Sequence, residues 1–153
     1  MAVIVGVAVL GVSQVPAAAA PLSSSPGHHA TAQIPKIPYP CYPQARGDYV
    51  HISSTLPQAA SGHAWWLENG CNESFGTVCI TLQERLSGTW HNERGPVCKS
   101  LAPGKKHKVG ARRNCLTVAS KYWRSHVTVT TSGPLGYGSD SDYTPKRYIA
   151  CTV

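Results

Sequence analysis

One compact group of side chains in this sequence could carry out acid–base chemistry, and it lies at positions 91–94. It reads His91-Asn92-Glu93-Arg94, and a ribonuclease-like hydrolase needs a histidine, a glutamate and an arginine that converge on a phosphate. Four consecutive residues do not converge, because strand side chains alternate between faces and this stretch is predicted to form a polar turn. The sequence also lacks Gly-x-Ser-x-Gly, His-Glu-x-x-His and glycine-rich phosphate motifs. We therefore expect no catalytic residues, no cofactor and no enzyme.

The cysteines could bind a metal or form disulfides. None of them has the Cys-x-x-Cys spacing of a zinc or redox motif, which disfavours a metal site. An even number in a short chain predicts three bridges if the chain leaves the cytosol. Six cysteines can be joined in 15 different schemes. We favour the scheme in which two bridges close hairpins and the third joins the two ends of the domain. Its bridges are Cys71 with Cys79, Cys98 with Cys115, and Cys41 with Cys151.

Residues 1–19 have the form of a signal peptide. The apolar run at 2–15 is shorter than the about 20 residues that span a bilayer, and the alanines at 17–20 resemble a signal-peptidase site. The first basic residue is Lys36, whereas a signal opens with Lys or Arg, so we expect the true start to lie upstream. A lipid-anchored or simply hydrophobic N-terminus is the alternative. The prediction is a secreted, extracellular protein.

Residues 20–40 are rich in Pro and Ser and predict a flexible arm. Repeated X-Pro steps enforce extended or polyproline geometry. The second half of the arm, with Tyr42 just beyond it, carries apolar side chains that could dock a partner or cover the protein's own domain. These residues are Ile34, Ile37, Tyr39 and Tyr42. His28 and His29 lie in the first half of the arm, and we expect them to be exposed to solvent rather than to bind a metal.

Residues 41–153 have the period-two pattern of strands separated by turns. In 78–83 the apolar residues alternate with polar ones, and in 123–131 Trp123, Val127 and Val129 are expected inward, with Arg124 and His126 outward. Weaker strands are predicted at 49–53, 63–67, 115–119 and 148–153. No amphipathic helix is evident, so we predict an all-β, small disulfide-stapled β-sandwich of immunoglobulin-like architecture.

Charge predicts an anionic partner. The chain has 14 Lys and Arg against 7 Asp and Glu, a net charge of +7, and residues 94–124 contain nine basic residues and no acidic one. Lys105, Lys106 and Lys108 lie in an expected mobile loop that could attract an acidic protein or an anionic cell surface. The alternative is that these charges only keep the protein soluble. Nucleic acid is disfavoured, because the stacking motifs of RNA binders are absent.

The aromatic residues suggest an exposed anchor. Trp65 and Trp66 are adjacent, so one should point outward from a strand, and Trp66 is our candidate for the partner-binding side chain. Coverage of Trp66 by the arm is the alternative. Residues 133–143 are predicted to form a long flexible loop.

A resemblance rests on three stretches: Gly70-Cys71, then 78–85 leading into Gly88-Thr89-Trp90, and 122–129. This pattern resembles small secreted β-sandwich proteins of actinobacteria, loosely similar to the adaptor subunit of Streptomyces umbrella toxin particles. The resemblance implies a disulfide-bonded domain whose N-terminal arm joins two other subunits. The sequence therefore predicts a secreted, non-catalytic binding or adaptor module. A small secreted basic toxin or hydrolase, and a protease inhibitor using 133–143, are the alternatives.

Overall fold

Nine β-strands make up the regular structure of residues 41–133 and 136–153, which are the residues that this computed structural model describes. The signal peptide 1–19, the arm 20–40 and the candidate residues Ile34, Ile37 and Tyr39 lie outside the described residues. No helix in the described part has the length and apolarity needed to span a bilayer. The strands are β1 (Gln44–Gly47), β2 (His51–Ile52), β3 (Ala59–Leu67), β4 (Gly76–Leu86), β5 (Thr89–Leu101), β6 (Val109–Asn114), β7 (Thr117–Gly133), β8 (Gly136–Tyr143) and β9 (Arg147–Thr152).

The strands form two antiparallel sheets. In the first, called sheet A, β3 is central: it pairs with β6 on one side and with β1 and then β2 on the other. In the second, called sheet B, the order is β5-β4-β7, and β7 pairs on its far side with β8 and then β9. The all-β prediction is therefore confirmed, with two antiparallel sheets.

The inner faces follow from the period-two patterns. Val78, Ile80 and Leu82 of β4 are fully buried, as the alternation in 78–83 predicts. In β7, Trp123, Ser125 and Val127 are fully buried, whereas Arg124 and His126 between them point outward. Burying each of these large apolar side chains contributes about 1.5–3 kcal/mol.

A single cluster of buried side chains contains residues of both sheets. Two indoles are its largest members, and each donates its N–H to a backbone carbonyl. Trp66 Nε1 donates to Leu101 O at 2.8 Å, and Trp123 Nε1 donates to Cys151 O at 2.8 Å. Because each indole N–H has an acceptor, burial of the two indoles leaves no unsatisfied donor on either ring, and these hydrogen bonds offset the cost of desolvation.

The prediction that Trp66 is an exposed anchor is wrong. Its side chain is 0% exposed and belongs to the core. Alternation does turn Trp65 to the opposite face, but that ring is only 9% exposed, with the ammonium of Lys105 5.4 Å from its centroid. Adjacent tryptophans can thus both be buried when a loop covers the outer one.

All six cysteines form disulfides, but the favoured pairing is wrong. The bridges join Cys41 to Cys71, Cys79 to Cys98, and Cys115 to Cys151. The prediction assumed hairpins between 71 and 79 and between 98 and 115. The strand pairing instead places positions 79 and 98 directly opposite each other in β4 and β5. The start of β7 pairs with the end of β9 (Thr117 with Thr152), which brings positions 115 and 151 together.

Two segments predicted as irregular are strands. Residues 136–143, expected in a flexible loop, form β8 and pair along β7. Residues 91–94, expected in a turn, lie within β5. Both segments lie in edge strands of sheet B, and most of their side chains are exposed. Such strands can form without the alternating apolar residues that identify a strand in a sequence.

Candidate functional site

The outward face of sheet B carries most of the exposed aromatic rings of the strands. Alternation fixes this arrangement: Trp123, Ser125 and Val127 of β7 point inward, so Arg124 and His126 point outward. Neighbouring strands add side chains at the same level, because directly paired residues share a face. We call this set the aromatic–cationic face; it consists of Gln83 and Arg85 of β4, Trp90 and Asn92 of β5, Tyr122, Arg124 and His126 of β7, Tyr143 of β8, and Lys146 and Tyr148 at β9.

Arg124 is the centre of this face. Its guanidinium carbon lies 4.3 Å from the ring centroid of Trp90 and 4.0 Å from that of Tyr143. Its Nε donates to Gln83 Oε1 at 2.7 Å. Within residues 41–133 and 136–153, its terminal Nη1 and Nη2 groups have no hydrogen-bond acceptor or salt-bridge partner. The two rings and the amide therefore hold a guanidinium in place while leaving its outer donors available.

The partners of Arg124 are themselves fixed. Gln83 Nε2 donates to Asn92 Oδ1 at 2.8 Å, which orients the amide oxygen towards the guanidinium. The ring of Tyr143 stacks on that of His126, with centroids 4.5 Å apart and planes inclined by 20°. Such pairs contribute about 0.5–1.5 kcal/mol beyond their buried area. The face is therefore ordered before any ligand arrives.

A second aromatic pair extends the face towards β9. Tyr122 and Tyr148 lie directly opposite each other, with ring centroids 4.9 Å apart, and they are 41% and 63% exposed. The ammonium of Lys146 lies 5.4 Å from the centroid of Tyr122. Exposed tyrosines beside cations are typical of binding surfaces.

The acidic groups of β4 and β8 are engaged elsewhere, so they do not neutralise the cations of the face. Glu84 of β4 is fully buried, and its carboxylate accepts hydrogen bonds from Thr152 and from the backbone of Val153. In β8, Asp140 accepts the backbone N–H of Ala45, and Asp142 lies 3.8 Å from Arg46. Arg85, Arg124 and Lys146 give the face three positive charges.

Among the residues predicted as partner-binding, the structure describes Tyr42, Trp66 and the three lysines of the 105–108 loop, and none of these belongs to the aromatic–cationic face. Tyr42 is 62% exposed and lines a shallow depression of about 320 Å³ with Arg46, Asn69 and Asp140. Lys105, Lys106 and Lys108 are exposed in the loop between β5 and β6, as predicted, but Lys105 packs beside Trp65 of sheet A.

The acid–base group at 91–94 remains dispersed among the described residues. His91 pairs with Glu84 and Arg94 with Leu82 along the β4–β5 ladder, and a register shift separates the two pairs at Glu93. No hydrogen bond joins His91, Glu93 and Arg94 in the part of the chain that the structure describes. Their predicted lack of catalysis stays a prediction.

Sequence reasoning placed Arg124 and His126 outward but missed the contacts that make them a site. Trp90 and Tyr143 lie 34 and 19 positions away from Arg124 along the chain. The pairing of β5 with β4, and of β7 with β4 and β8, brings them together, and β8 was expected to be a loop. The sequence did contain one signal of this site: Arg124 lies outward between two inward residues of a strongly alternating strand.

The fold and the face define a disulfide-bonded, all-β domain of two antiparallel sheets. No protein-family model, curated protein or solved structure matches the chain.

Proposed function

We propose that this protein is a secreted, non-catalytic binding module that docks an acidic protein partner on its aromatic–cationic face. Its domain is an immunoglobulin-like β-sandwich that follows a Pro-rich arm at 20–40. The observation that carries the proposal is the guanidinium of Arg124, held over Trp90 and Tyr143 with its terminal nitrogens unbonded among the described residues.

The geometry around Arg124 suits a carboxylate. A guanidinium presents parallel N–H donors that match the two oxygens of a carboxylate, and such bidentate pairs are stronger than neutral hydrogen bonds. An arginine usually loses side-chain freedom when it binds. Here the rings and Gln83 already restrict it, which lowers that entropic cost.

A protein partner fits the face better than a nucleic acid or a sugar polymer. Bases and sugars bind by stacking on open aromatic faces. The faces of Trp90 and Tyr143 towards Arg124 are covered by its guanidinium, and His126 covers part of Tyr143. Trp, Tyr and Arg in one ordered patch are the residue types that dominate protein–protein interfaces.

Two further observations support the proposal. Three disulfides in the structure suggest an oxidising environment outside the cytosol. The exposed loop at 105–108 adds positive charge that would speed the approach of an acidic partner. An adaptor role requires a second contact, for which the arm residues 34–42 are the candidate segment.

The test measures binding of three anionic probes to the full chain: an oligoglutamate peptide, poly(glycerol phosphate) and a single-stranded oligonucleotide. Isothermal titration calorimetry is run on the wild type, Arg124→Lys and Arg113→Lys. Both variants keep the net charge, and Arg113 lies in β6 of sheet A. We expect Arg124→Lys to weaken oligoglutamate binding about tenfold, since it removes one bidentate, stacked contact.

Arg113→Lys should leave oligoglutamate binding unchanged, and circular dichroism should give equal melting temperatures for the two variants. Equal loss in both variants would refute the proposal, because binding would then follow overall charge. Tighter, Arg124-dependent binding of the oligonucleotide or of poly(glycerol phosphate) would also refute it, in favour of a nucleic-acid or wall-polymer ligand.

A further inference from the structure

Two histidines and one aspartate meet on the outward face of sheet A, away from the aromatic–cationic face. His51 of β2 pairs with Ser61 of β3, and His63 lies two residues further along β3 on the same face. Asp48 lies between β1 and β2, where its backbone N–H bonds to His63 O. Each of Asp48, His51 and His63 has one atom that could bind a metal ion, and these three atoms lie within 4.8 Å of one another.

The carboxylate of Asp48 fixes His63. Its Oδ1 accepts the backbone N–H of His63 at 2.6 Å, and its Oδ2 lies 2.9 Å from Nδ1 of the ring. A carboxylate can only accept a hydrogen bond, so Nδ1 carries the proton. The lone pair of the neutral ring is then on Nε2. A carboxylate that holds a histidine in this way is the usual outer-shell partner of a metal-binding histidine.

His51 has the matching arrangement. Its Nδ1 lies 3.4 Å from the carbonyl oxygen of Tyr49, which is also only an acceptor, so its lone pair is on Nε2 as well. The two rings stack with centroids 5.6 Å apart and planes inclined by 24°. One nitrogen of each ring lies within 4.8 Å of one nitrogen of the other.

The strand beside His63 leaves its free nitrogen accessible. Gly110 of β6 lies directly opposite His63, and a Cβ there would lie 3.3 Å from Cδ2 and 3.8 Å from Nε2 of the ring. A side chain at 110 would therefore press on Cδ2 and lie against the edge of the ring that carries Nε2. A glycine at this position keeps the edge of the ring open.

Two arginines on this face, Arg112 and Arg46, are tied to other groups. Arg112 donates two hydrogen bonds to the carbonyl oxygens of Thr55 and Pro57. Arg46 donates to Gln44 Oε1 at 2.7 Å and lies 3.8 Å from Asp142. Their guanidinium groups are therefore held away from the histidine pair, which reduces repulsion of a bound cation.

We propose that Asp48, His51 and His63 form a binding site for a divalent transition metal, with Zn²⁺ as the ion that fits best outside the cell. The two imidazoles bind through Nε2, and Asp48 supplies negative charge through its hydrogen bond to Nδ1 of His63. Imidazole nitrogens suit Zn²⁺ and Cu²⁺ rather than Mg²⁺ or Ca²⁺, which prefer oxygen ligands. The half-exposed side chains leave coordination positions for water or for a ligand from another molecule.

The experiment titrates ZnCl₂ into the full chain by isothermal titration calorimetry, with MgCl₂ as the cation control. The variants are His51→Ala, His63→Ala, Asp48→Asn and the double variant His28→Ala/His29→Ala. The double variant is included because His28 and His29 are adjacent histidines that could bind zinc independently. Circular dichroism of each variant checks the fold.

We expect one Zn²⁺ per chain, lost in His51→Ala and in His63→Ala, and kept in the His28/His29 double variant. Asp48→Asn keeps an oxygen for the backbone N–H of His63 but weakens binding about 10–100-fold, as loss of an outer-shell carboxylate does. Binding that disappears only in the double variant, or that survives both His51→Ala and His63→Ala, would overturn the proposal. Equal binding of Mg²⁺ would overturn it too.

Discussion

Removal of the Cys115–Cys151 bridge should destabilise the domain more than removal of the Cys79–Cys98 bridge. The two bridges close loops of different length, with sequence separations of 36 and 19 residues. Through loop-closure entropy, the bridge of the longer loop then contributes about 3.8 kcal/mol to the free energy of unfolding, and the bridge of the shorter loop contributes about 3.2 kcal/mol. Chain entropy alone separates the two variants by about 0.6 kcal/mol.

Burial increases this difference. Cys151 is fully buried, whereas Cys98 is exposed and Cys79 half-buried. Replacing Cys151 by Ala removes a sulfur from the core and leaves a cavity that costs about 1 kcal/mol. The same change at Cys98 leaves no cavity. The expected total difference is therefore about 1.6 kcal/mol.

Differential scanning calorimetry of Cys79→Ala/Cys98→Ala and Cys115→Ala/Cys151→Ala measures this difference. For a domain of this size about 1 kcal/mol corresponds to a melting-temperature change of about 4 °C, so the second variant should melt about 6 °C below the first. Equal melting temperatures, or a lower value for the Cys79→Ala/Cys98→Ala variant, would show that loop length and burial do not govern these bridges. Peptide mapping under non-reducing conditions checks the pairing itself.

Two further predictions concern the core and one turn. Trp66→Phe leaves the carbonyl of Leu101 without its 2.8 Å donor, so we expect a loss of about 1–3 kcal/mol in urea unfolding; a change below this range would mean that water replaces the indole. Gly95→Ala should destabilise by more than Gly88→Ala in the same assay. Both glycines have positive φ, which costs alanine about 1–2 kcal/mol, but only at Gly95 would the new Cβ meet backbone, 2.5 Å from the carbonyl of Ile80; equal effects would contradict the reasoning.

The sequence predicts best where a strand is buried on one face. Val78, Ile80 and Leu82 alternate with polar residues, so both the strand and its inward face are evident. The same holds for Trp123 and Val127 in β7. In these strands the local pattern and the tertiary packing favour the same structure.

The sequence pattern does not identify outer strands or contacts between residues that are distant in the chain. β8 consists of Gly, Ser, Asp and Tyr residues, which are also typical of loops, and it becomes a strand because β7 offers a ladder to pair with. The disulfide pairing depends on which strands are neighbours, which the spacing of cysteines does not encode. The exposed position of Trp66 was wrongly predicted because alternation separates two faces but does not say which of them is turned to the core. Trp66 is the inward residue, and the loop that carries Lys105 covers Trp65.

The metal site and the aromatic–cationic face share this difficulty. His51 and His63 are twelve positions apart, and only the register of β2 on β3 makes them neighbours. Arg124 of β7 meets Trp90 of β5 and Tyr143 of β8 across the four strands β5-β4-β7-β8. Sequence patterns indicate which side chains point outward, whereas the topology decides which of them meet.

The outer edges of the two sheets, called rims here, are interrupted, and this has a consequence for assembly. One rim of sheet A breaks between β1 and β2, and one rim of sheet B breaks between β8 and β9, where Thr144 bonds back to Ser125. On the opposite rim of sheet B, Pro96 interrupts β5 with a residue that has no N–H to donate. Another chain therefore finds no long run of free backbone groups on these three rims, which discourages fibre-like stacking at high concentration. Contacts made there must rely on side-chain chemistry, which is more selective than main-chain pairing.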